Sequence, residues 1–571
     1  MEEKRIGVYI CWCGTNIAKM VDVEAIAEGM KELPNVVLSK NYKYMCSDPG
    51  QELIIKDIKE NKLNRVVVAA CSPRIHELTF RKALENAGLN PYLFQMANIR
   101  EQVSWVHTDP VKATEKARSL IKAAIQRVSY HEALDSKTVN INPATLIIGG
   151  GISGISAALE IANSGKKVFL IEKTDTLGGH AANIDLSFPY MMSVHEMITQ
   201  KIKEVNNHSN ITLFLNNEIS DISGYVGNFE TIITQNGNEI PLKFGNIIVA
   251  TGLKTYDPSG INQYGYQQFS DVITSSEFES MLKKGEILTS KSTEPKNIAI
   301  IHCVGSRNKE YHEYCSRICC SNAIKYANQL KTALPEANIF NIYSDIRTFG
   351  KGCEEMYTET SRDRVLFLKY DQQYDLPTIT SAEGSGNDNM MINLNEKLSG
   401  ENVDIEVDLV ILMTSMEARE DAKKISHTVG ISMCGNEFFI EKHPKLDPVA
   451  TTTDGVYIVG SCQGPKDIID SITQAKAATS RILASIAYGT VEVETTTAFV
   501  NEELCCGCQT CIKVCPYIAV SFDNEKKTSV VNDILCKGCG TCGSSCPTGA
   551  ISSRHFTDEQ ILHQIEGIMR L

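Results

Sequence analysis

Long apolar runs are missing from this chain of 571 residues. No window holds about 18 uninterrupted apolar residues, so the sequence predicts no membrane span. The first residues, MEEKRIGVYICWCG, lack the charged-then-apolar run and the small-residue cleavage site of a signal peptide. The 20 cysteines therefore indicate a large cytoplasmic protein with reduced thiols, not a small secreted domain held by disulfides.

Basic stripes with interleaved aromatic residues are also missing, which argues against binding to nucleic acid. The charge balance is acidic instead, with 56 Lys and Arg against 69 Asp and Glu and a formal net charge of −13. Acidity of this kind supports solubility and docking to basic patches on redox partners. The length allows three or more domains, each with its own core.

One cysteine spacing occurs twice near the end of the chain. The runs are Cys505-x2-Cys508-x2-Cys511-x3-Cys515-Pro516 and, 31 residues on, Cys536-x2-Cys539-x2-Cys542-x3-Cys546-Pro547. This spacing is typical of bacterial ferredoxins with two [4Fe-4S] clusters, because three close thiolates bind one cluster and the fourth binds the other. The predicted ligand sets are Cys505, Cys508, Cys511 and Cys546 for one cluster, and Cys536, Cys539, Cys542 and Cys515 for the second. Zinc knuckles or disulfides are the alternative, but zinc sites rarely repeat four cysteines at this spacing.

A dinucleotide fingerprint lies in the middle of the chain. Residues 145–154 read TLIIGGGISG, an apolar strand that runs into Gly149-x-Gly151-x-x-Gly154 and then a small-residue helix. Such glycines allow a tight turn, backbone approach to a pyrophosphate and close helix–strand packing, and the helix N-terminus offers N–H groups to the phosphates. The next strand ends at Glu172 and Lys173, the predicted ribose-side residues, where a carboxylate disfavours the 2′-phosphate of NADP.

Three further segments favour FAD as the dinucleotide, with an NAD-only domain as the alternative. The pair Gly178–Gly179 resembles the FAD branch of these folds, and residues 246–252, NIIVATG, resemble a strand and turn of the thioredoxin-reductase-like flavoproteins. Residues 453–460, TDGVYIVG, resemble the strand beside the flavin ribityl chain, although Ser461 replaces the usual aspartate. The predicted contacts from these segments are Gly178, Gly179, Ala250, Thr251, Gly252, Gly460 and Ser461.

A second nucleotide domain would be expected to follow, but its glycine triad is missing. The strand predicted at Asn297–Ile301 is followed by HCVGSRNKEYHEYCSRICC, in which only Gly305 remains of a triad, and no Cys-x2-Cys disulfide motif occurs here. Four cysteines stand there instead, Cys303, Cys315, Cys319 and Cys320. Adjacent cysteines suit a [4Fe-4S] cluster better than zinc, and buried structural thiols are the alternative.

Four more cysteines lie near predicted strand ends in the first 130 residues, namely Cys11, Cys13, Cys46 and Cys71. The carboxyl ends of strands in an α/β unit meet at one edge, so these thiolates could hold another cluster. Their spacing matches no recognised motif, and structural thiols are the alternative.

The predicted organisation is α/β and multidomain. Strands at Arg5–Cys11, Val36–Ser39 and Arg65–Ala70 alternate with helices at Val21–Glu32 and Ala113–Ser129. The predicted regions are a small α/β domain at 1–130, a Rossmann-type FAD domain at 143–490, a ferredoxin-type 2[4Fe-4S] domain at 502–552 and a C-terminal helix within 553–571, with linkers at 131–142 and 491–501.

Over nearly its full length the chain resembles the flavin- and iron–sulfur-carrying subunit of heterodisulfide reductase, from methanogens and from complexes of anaerobic bacteria. The resemblance rests on CWCGTNIA, VVVAACSPRIHE, the flavin fingerprint, the double cysteine at 319–320 and the ferredoxin motif. It implies a cluster beside the flavin, a further cluster in the N-terminal domain, and a lysine near the flavin ring, here Lys325, with a solvated helix lysine as the alternative. One departure is that no second cysteine array occurs between Gly179 and Gly252, where some members carry an extra ferredoxin module.

The resemblance implies flavin-based electron bifurcation within a larger complex. Its expected partners are a donor subunit linked to a hydrogenase or dehydrogenase, ferredoxin, and the subunits that reduce the disulfide, with a homodimer at the centre. Two other functions stay open, a relay subunit without net flavin chemistry and an NAD(P)H-dependent oxidoreductase, although the missing second triad counts against the latter.

Overall fold

The computed structural model describes residues 3–135, 137–235, 237–382, 390–493 and 495–569. The chain forms two compact units, unit 1 with residues 1–138 and 492–571, and unit 2 with residues 139–491. The N-terminal α/β segment and the ferredoxin-type segment thus share a unit, although the whole of unit 2 lies between them in sequence. Within the described ranges, every helix is too short or too polar to span a bilayer.

The first segment of unit 1 is a parallel sheet between two helix layers. Its strands are β1 Ile6–Cys11, β2 Val36–Tyr42, β3 Arg65–Ala70 and β4 Phe94–Asn98, in the order β2-β1-β3-β4. Its helices are α1 Val23–Met30, α2 Asp48–Asn61, α3 Pro73–Ala87 and α4 Pro110–Val128. Alternate side chains of β1 point to opposite faces: Val8 and Ile10 pack with α1 and α4, while Tyr9 and Cys11 pack with α2 and α3.

The predicted elements of this segment are present with small shifts at their ends. Helix α1 starts later than predicted because the Asp22 carboxylate accepts a hydrogen bond from the Ala25 N–H and so caps it. All four strands are parallel, so their carboxyl ends form one edge of the sheet. The strand β5 Lys137–Asn140 then leads into unit 2.

The described residues of unit 2 form two parallel sheets, each with an antiparallel extension. The strands of the first sheet and its extension are β6 Thr145–Ile148, β7 Val168–Ile171, β8 Ile211–Phe214, β9 Ser223–Tyr225, β10 Asn228–Gln235, β11 Asn238–Phe244 and β12 Asn246–Val249, with β23 Val456–Ile458 added from near its end. The sheet order is β23-β12-β6-β7-β8, so three strands far apart in sequence lie side by side. Helices α5 Ile152–Asn163 and α6 Val194–Asn207 follow β6 and β7.

The second parallel sheet has the order β14-β21-β15-β16-β17. Its strands and those around it are β13 Lys254–Thr255, β14 Val272–Thr274, β15 Asn297–Val304, β16 Asn338–Tyr343, β17 Leu366–Lys369, β18 Thr378–Ser381, β19 Met390–Glu396, β20 Glu401–Val407, β21 Leu409–Thr414 and β22 Met416–Glu417. The helices are α7 Ser275–Lys284, α8 Cys319–Ala333, α9 Cys353–Arg362, α10 Ala422–Val429 and α11 Ile468–Tyr488. Unit 2 therefore repeats one motif, a buried parallel strand followed by a loop and a helix.

The last segment, entered through β24 Thr490–Val493, returns to unit 1. Its elements are β25 Ala498–Val500, α12 Thr510–Val514, β26 Val520–Asp523, β27 Thr528–Val531, α13 Thr541–Ser544, β28 Ile551–Ser553 and α14 Asp558–Met569. Strand β25 pairs with β28, so part of the predicted linker at 491–501 belongs to the ferredoxin-type fold. Helix α14 packs closely on α4, since a Cβ on Gly567 would lie 2.7 Å from the Ala123 Cα.

Candidate functional site

The ferredoxin-type cysteines form two groups that mix the two runs. A small cavity is lined by Cys505, Cys508, Cys511 and Cys546, the first predicted ligand set, together with the spare Cys506. Cys546 comes from the second run, so the structure brings the remote fourth cysteine to the first three. In the other group, Cys515, Cys536 and Cys539 lie close enough to Cys542 to raise the pKa of its thiol, in addition to the effect of burial.

Uncharged polar groups form hydrogen bonds with these thiols. The Ala498 N–H lies 3.3 Å from the Cys536 Sγ, and the Ala519 N–H lies 3.3 Å from the Cys515 Sγ. The Cys511 Sγ lies 3.1 Å from the Ser529 hydroxyl. Hydrogen bonds to sulfur are a main determinant of cluster potential, so the arrangement fits clusters in a hydrogen-bonded cage.

The glycine loop after β6 forms a cradle at the carboxyl edge of the first sheet of unit 2. A Cβ on Gly154 would lie 1.9 Å from the Gly149 carbonyl oxygen, so the turn closes only with glycine at this position. Gly149 has φ +110°, and a Cβ there would lie 2.4 Å from the Ala250 carbonyl oxygen. Gly151, in contrast, faces open space, where a phosphate can approach the N-terminus of α5.

The two ribose-side residues differ in their surroundings. Glu172 accepts hydrogen bonds from the Gly150 N–H at 2.7 Å and from the Thr174 N–H at 2.9 Å, so its carboxylate is held at the glycine loop. Lys173 is half-exposed and its ammonium lies 2.9 Å from Glu218 and 3.2 Å from Asp421. Hydrogen bonds to these carboxylates raise the pKa of Lys173. Glu172 thus belongs to the glycine loop, whereas Lys173 belongs to a surface ion-pair group.

The remaining predicted flavin contacts gather at the same edge. The Gly178 N–H donates to the Gly150 carbonyl at 2.8 Å, and Gly179 packs against Gly151. Ala250, Thr251 and Gly252 directly follow β12, which neighbours β6. Gly460 and Ser461 follow β23 after one residue, Val459, and a Cβ on Gly460 would lie 2.1 Å from the Ser153 hydroxyl in the first turn of α5. Segments separated by about the whole length of unit 2 therefore surround one glycine loop.

The second sheet of unit 2 carries cysteines at the equivalent place. Cys303 lies near the end of β15 with φ +59°, where the pairing with β21 shifts register, and Cys319 and Cys320 form the first turn of α8. Burial raises the pKa of the Cys319 thiol, and the nearby thiols of Cys303, Cys315 and Cys320 add to the rise. Burial raises the pKa of Cys303 to about 12, and the neighbouring thiols add to the rise. Four thiols therefore lie close together in a largely buried region, where a thiolate requires a compensating cation such as iron.

Two arginines border this cysteine group. Arg307 lies against Cys303, and its Nη2 is 2.6 Å from the Asp345 carboxylate. The Arg317 N–H lies 3.3 Å from the Cys315 Sγ, while its guanidinium Nη2 contacts the Asp470 carboxylate in the first turn of α11 at 2.9 Å. Because α11 follows the Gly460 loop, Arg317 links the cysteine loop to the glycine-lined edge of the first sheet.

Lys325 is fully buried one turn further along α8, so the alternative of a solvated helix lysine is wrong. Its Nζ lies 2.5 Å from the Glu279 Oε1 and donates to the Leu186 carbonyl at 2.9 Å. Burial lowers the pKa of Lys325, and the Glu279 carboxylate opposes that shift. The Tyr326 hydroxyl also donates to Glu279, at 2.9 Å. A lysine and a glutamate thus form a buried pair that faces the segment after Gly178 and Gly179.

The N-terminal cysteines also come together, at the carboxyl edge of the first sheet of unit 1. Cys11 ends β1 and accepts from the Cys13 N–H at 3.3 Å and the Met45 N–H at 3.5 Å. Burial raises the pKa of Cys71 to about 12, with Cys13 and Cys46 adding to the rise. A charged partner is present as well, since the Arg100 Nη1 lies 3.2 Å from the Cys13 Sγ.

Sequence reasoning did not identify Glu279, Arg307 or Arg100. Among the described side chains, no three of His, Cys, Asp or Glu converge closely enough to hold one metal ion. The ligands of a [4Fe-4S] cluster need not converge on one point, because each thiolate binds a different iron atom.

Two family models match this chain. The model "Pyridine nucleotide-disulphide oxidoreductase" covers residues 143–301, and the "4Fe-4S dicluster domain" covers residues 504–551. A thioredoxin reductase structure from T. acidophilum aligns with 60% of this chain and 99% of its own, with a TM-score of 0.41 and 18% identity. The molecule is an oxidoreductase with an FAD domain of the pyridine nucleotide-disulphide oxidoreductase type and a C-terminal 4Fe-4S domain, which confirms the predicted fold class.

Full-length relatives narrow this class further. An iron-sulfur subunit of the CoB–CoM heterodisulfide reductase of Methanopyrus kandleri is 40% identical over 100% of this chain and 99% of its own. The corresponding subunit of the H2:CoB-CoM heterodisulfide,ferredoxin reductase of Methanothermobacter thermautotrophicus is 38% identical over 100% and 98%. The chain belongs to this family, the flavin- and iron–sulfur-carrying subunits of heterodisulfide reductase, as its sequence motifs predicted.

Proposed function

We propose that this chain is the flavin-based electron-bifurcating or confurcating subunit of a heterodisulfide-reductase-type complex. FAD exchanges electrons in pairs and [4Fe-4S] clusters exchange them singly, so one pair can divide between ferredoxin and a disulfide-reducing subunit. The observation that carries the proposal is helix α8. It holds Cys319 and Cys320 in its first turn and buries Lys325 against Leu186 of the dinucleotide domain.

The residues at the first sheet suit FAD. The glycine turn leaves space at Gly151 for a pyrophosphate, and Glu172 is held at the end of the next strand for the ribose. Cys462, directly after Ser461, is buried below the same edge with its Sγ 3.3 Å from the Val249 carbonyl. This chain's own part is to orient the cofactor and to keep water from its inner face.

The buried Lys325–Glu279 pair supports a role in controlling charge at the flavin. A cation close to the ring stabilises the reduced, anionic form, whereas a carboxylate within 2.5 Å of that cation reduces the effect. Lys325 also fixes the backbone at Leu186. We assign Lys325 to tuning the flavin and the segment that carries its contacts.

Four [4Fe-4S] clusters complete the proposal. Two belong to the ferredoxin-type groups, one to Cys303, Cys315, Cys319 and Cys320, and one to Cys11, Cys13, Cys46 and Cys71. The helix N-terminus at Cys319 favours thiolates there, since the first-turn N–H groups carry partial positive charge.

The proposed partners are ferredoxin, an electron-donor subunit linked to a hydrogenase or dehydrogenase, and a disulfide-reducing subunit, with this chain as a homodimer. Support comes from relatives, since the M. thermautotrophicus protein is named for H2, the CoB-CoM heterodisulfide and ferredoxin. An NAD(P)H-dependent reaction is less well supported. Gly305, the remnant of the second triad, lies under the Tyr256 ring, which would be 2.4 Å from a Cβ there.

Anaerobic reduction of the purified protein tests the proposal. Reduced ferredoxin should bleach the flavin absorbance, and NADH alone should not. Bleaching by NADH at a rate that supports turnover would favour the NAD(P)H-dependent alternative.

A potentiometric titration separates bifurcation from relay. Bifurcation requires the second electron to enter the flavin at a higher potential than the first, so no one-electron-reduced flavin accumulates at the midpoint. A stable one-electron form would favour a relay. Iron analysis runs in parallel, because four clusters give about 16 iron atoms per chain and three give about 12.

A further inference from the structure

A short π-helical turn, Arg100–Ser104, follows β4 at the edge where the N-terminal cysteines lie. Such turns are rare and often occur at functional sites. Here the turn directs the Arg100 guanidinium towards a cysteine, with Nη1 3.2 Å from the Cys13 Sγ. Arg100 is also close enough to Cys46 and Cys71 for its positive charge to favour their thiolate forms. One fixed positive charge therefore faces three of the four thiols, and at Cys71 the Glu101 carboxylate opposes its effect.

Neighbouring groups hold this guanidinium in place. The Glu101 Oε1 accepts from Arg100 Nε at 3.2 Å and from Nη2 at 2.7 Å, which leaves Nη1 for the cysteine. The Trp105 ring lies 4.8 Å from the guanidinium carbon. The Arg100 side chain is only 16% exposed, so solvent screens its charge weakly. An arginine with its other donors occupied is a directed charge, not a mobile surface group.

The ferredoxin-type groups differ in this respect. The hydrogen-bond partners of Cys536 and Cys515 are backbone N–H groups and that of Cys511 is the Ser529 hydroxyl, all of them uncharged. Reduction adds one electron to a cluster and makes it more negative. A positive charge at a ligand sulfur stabilises the reduced state more than neutral donors do, and therefore raises the reduction potential.

We propose that Arg100 sets the reduction potential of the N-terminal cluster and holds it above that of the ferredoxin-type clusters. The inference rests on the proposed function, which places a cluster on Cys11, Cys13, Cys46 and Cys71. Arg100 binds no iron and acts through Cys13. The N-terminal cluster then belongs to the higher-potential route of electron transfer, where it accepts electrons that cannot reduce ferredoxin.

The test compares full-length Arg100→Gln, Arg100→Lys and wild-type protein in an EPR-monitored titration with dithionite. The N-terminal signal is the one that a Cys71→Ser variant lacks. Arg100→Gln should lower the midpoint potential by about 59 mV, a tenfold change in a one-electron equilibrium. Arg100→Lys keeps the charge and should recover most of the shift. Arg81→Gln is the matched control, since Arg81 pairs with Glu77 at 2.7 Å on α3 of the same segment.

The outcomes separate this inference from the proposed function. An Arg100→Gln protein with full iron content and an unshifted potential would overturn the role of Arg100 and leave the four-cluster proposal standing. About 12 iron atoms in the wild type, unchanged by Cys71→Ser, would remove the N-terminal cluster and the inference with it. If Arg100→Gln loses the cluster, the Arg100→Lys variant provides the test. Its side chain keeps the positive charge, so a midpoint potential lowered by about 59 mV would contradict a charge effect.

Discussion

The two parallel sheets of unit 2 share one plan and differ at one loop. In the first, β6 runs into a glycine turn and α5, and in the second, β15 runs into residues 305–318 and α8. At the first loop, side chains are absent so that phosphates can approach backbone N–H groups. At the second, Cys303, Cys319 and Cys320 fill the equivalent space with thiols.

A strand end next to a helix N-terminus favours negative charge of more than one kind. Phosphate oxygens and thiolates both gain from the partial positive charge of first-turn N–H groups. What differs is whether the anion comes from a ligand or from the chain itself. The second sheet supplies its own anions, and so it suits a metal cluster instead of a nucleotide.

Removing one cysteine of the second loop should abolish one whole cluster. Cys320→Ser should reduce the iron content from about 16 to about 12 atoms per chain and leave the FAD content unchanged, because the glycine loop belongs to the other sheet. Iron and acid-labile sulfide analysis, with flavin absorbance, measures both. Cys434→Ser is the control, since Cys434 belongs to none of the predicted ligand sets. Unchanged iron in Cys320→Ser would mean that the second loop holds structural thiols.

The converse change should remove FAD and spare the clusters. Gly154→Val places side-chain atoms against the Gly149 carbonyl, where a Cβ alone would lie 1.9 Å away. We expect protein without bound flavin, destabilised by about 1–3 kcal/mol. Gly435→Ala is the matched control, because its Cβ meets open space. Flavin retained at wild-type stoichiometry in Gly154→Val would break the assignment of this loop.

A third change acts on the helix that joins the two sites. Lys325→Met leaves the Glu279 carboxylate buried without its cation, which costs about 3–5 kcal/mol for pairs of this kind. Chemical denaturation followed by flavin fluorescence measures the loss. Lys331→Met, further along α8, should cost much less because Lys331 is only partly buried.

The double variant Lys325→Met/Glu279→Gln refines that prediction. It removes both charges, so it should recover part of the lost stability while the flavin potential stays altered. If stability and potential recovered together, Lys325 would be a packing residue without a role in tuning.

The smallest effect concerns the ribose. Glu172→Gln keeps the shape of the side chain but removes the charge that strengthens its hydrogen bonds, so FAD should bind about tenfold more weakly, or about 1.4 kcal/mol. Titration of the apoprotein with FAD measures the affinity. Lys173→Gln is the control, because Lys173 pairs with Glu218 and Asp421. Equal losses in the two variants would place the ribose elsewhere.

Local sequence patterns predicted strand bounds and cysteine groups that depend on nearby residues or on a repeat. The strand Arg65–Ala70 has the predicted bounds, because a continuous apolar run between turn residues defines both ends. Cysteine spacing likewise pairs Cys546 with the first run, since the repeat itself carries that information. These features depend on neighbours within a few residues or on a repeated motif.

Contacts across long separations could not be predicted in this way. Glu279 lies 46 residues before Lys325, and Arg100 lies 87 residues after Cys13, with no periodic pattern to connect either pair. Only the sheet order brings them together. The family resemblance singled out Lys325, but its own helix left a solvated lysine open as the alternative, because its burial depends on α7 and on the segment at Leu186.

The packing of α14 on α4 has a consequence for biosynthesis. Gly567 lies against the backbone of Ala123, so α4 gains this neighbour only after the whole of unit 2 has been translated. The nascent N-terminal segment must remain free of aggregation while unit 2 emerges from the ribosome. Removing helix α14 would therefore impair the maturation of a region encoded more than 400 codons earlier.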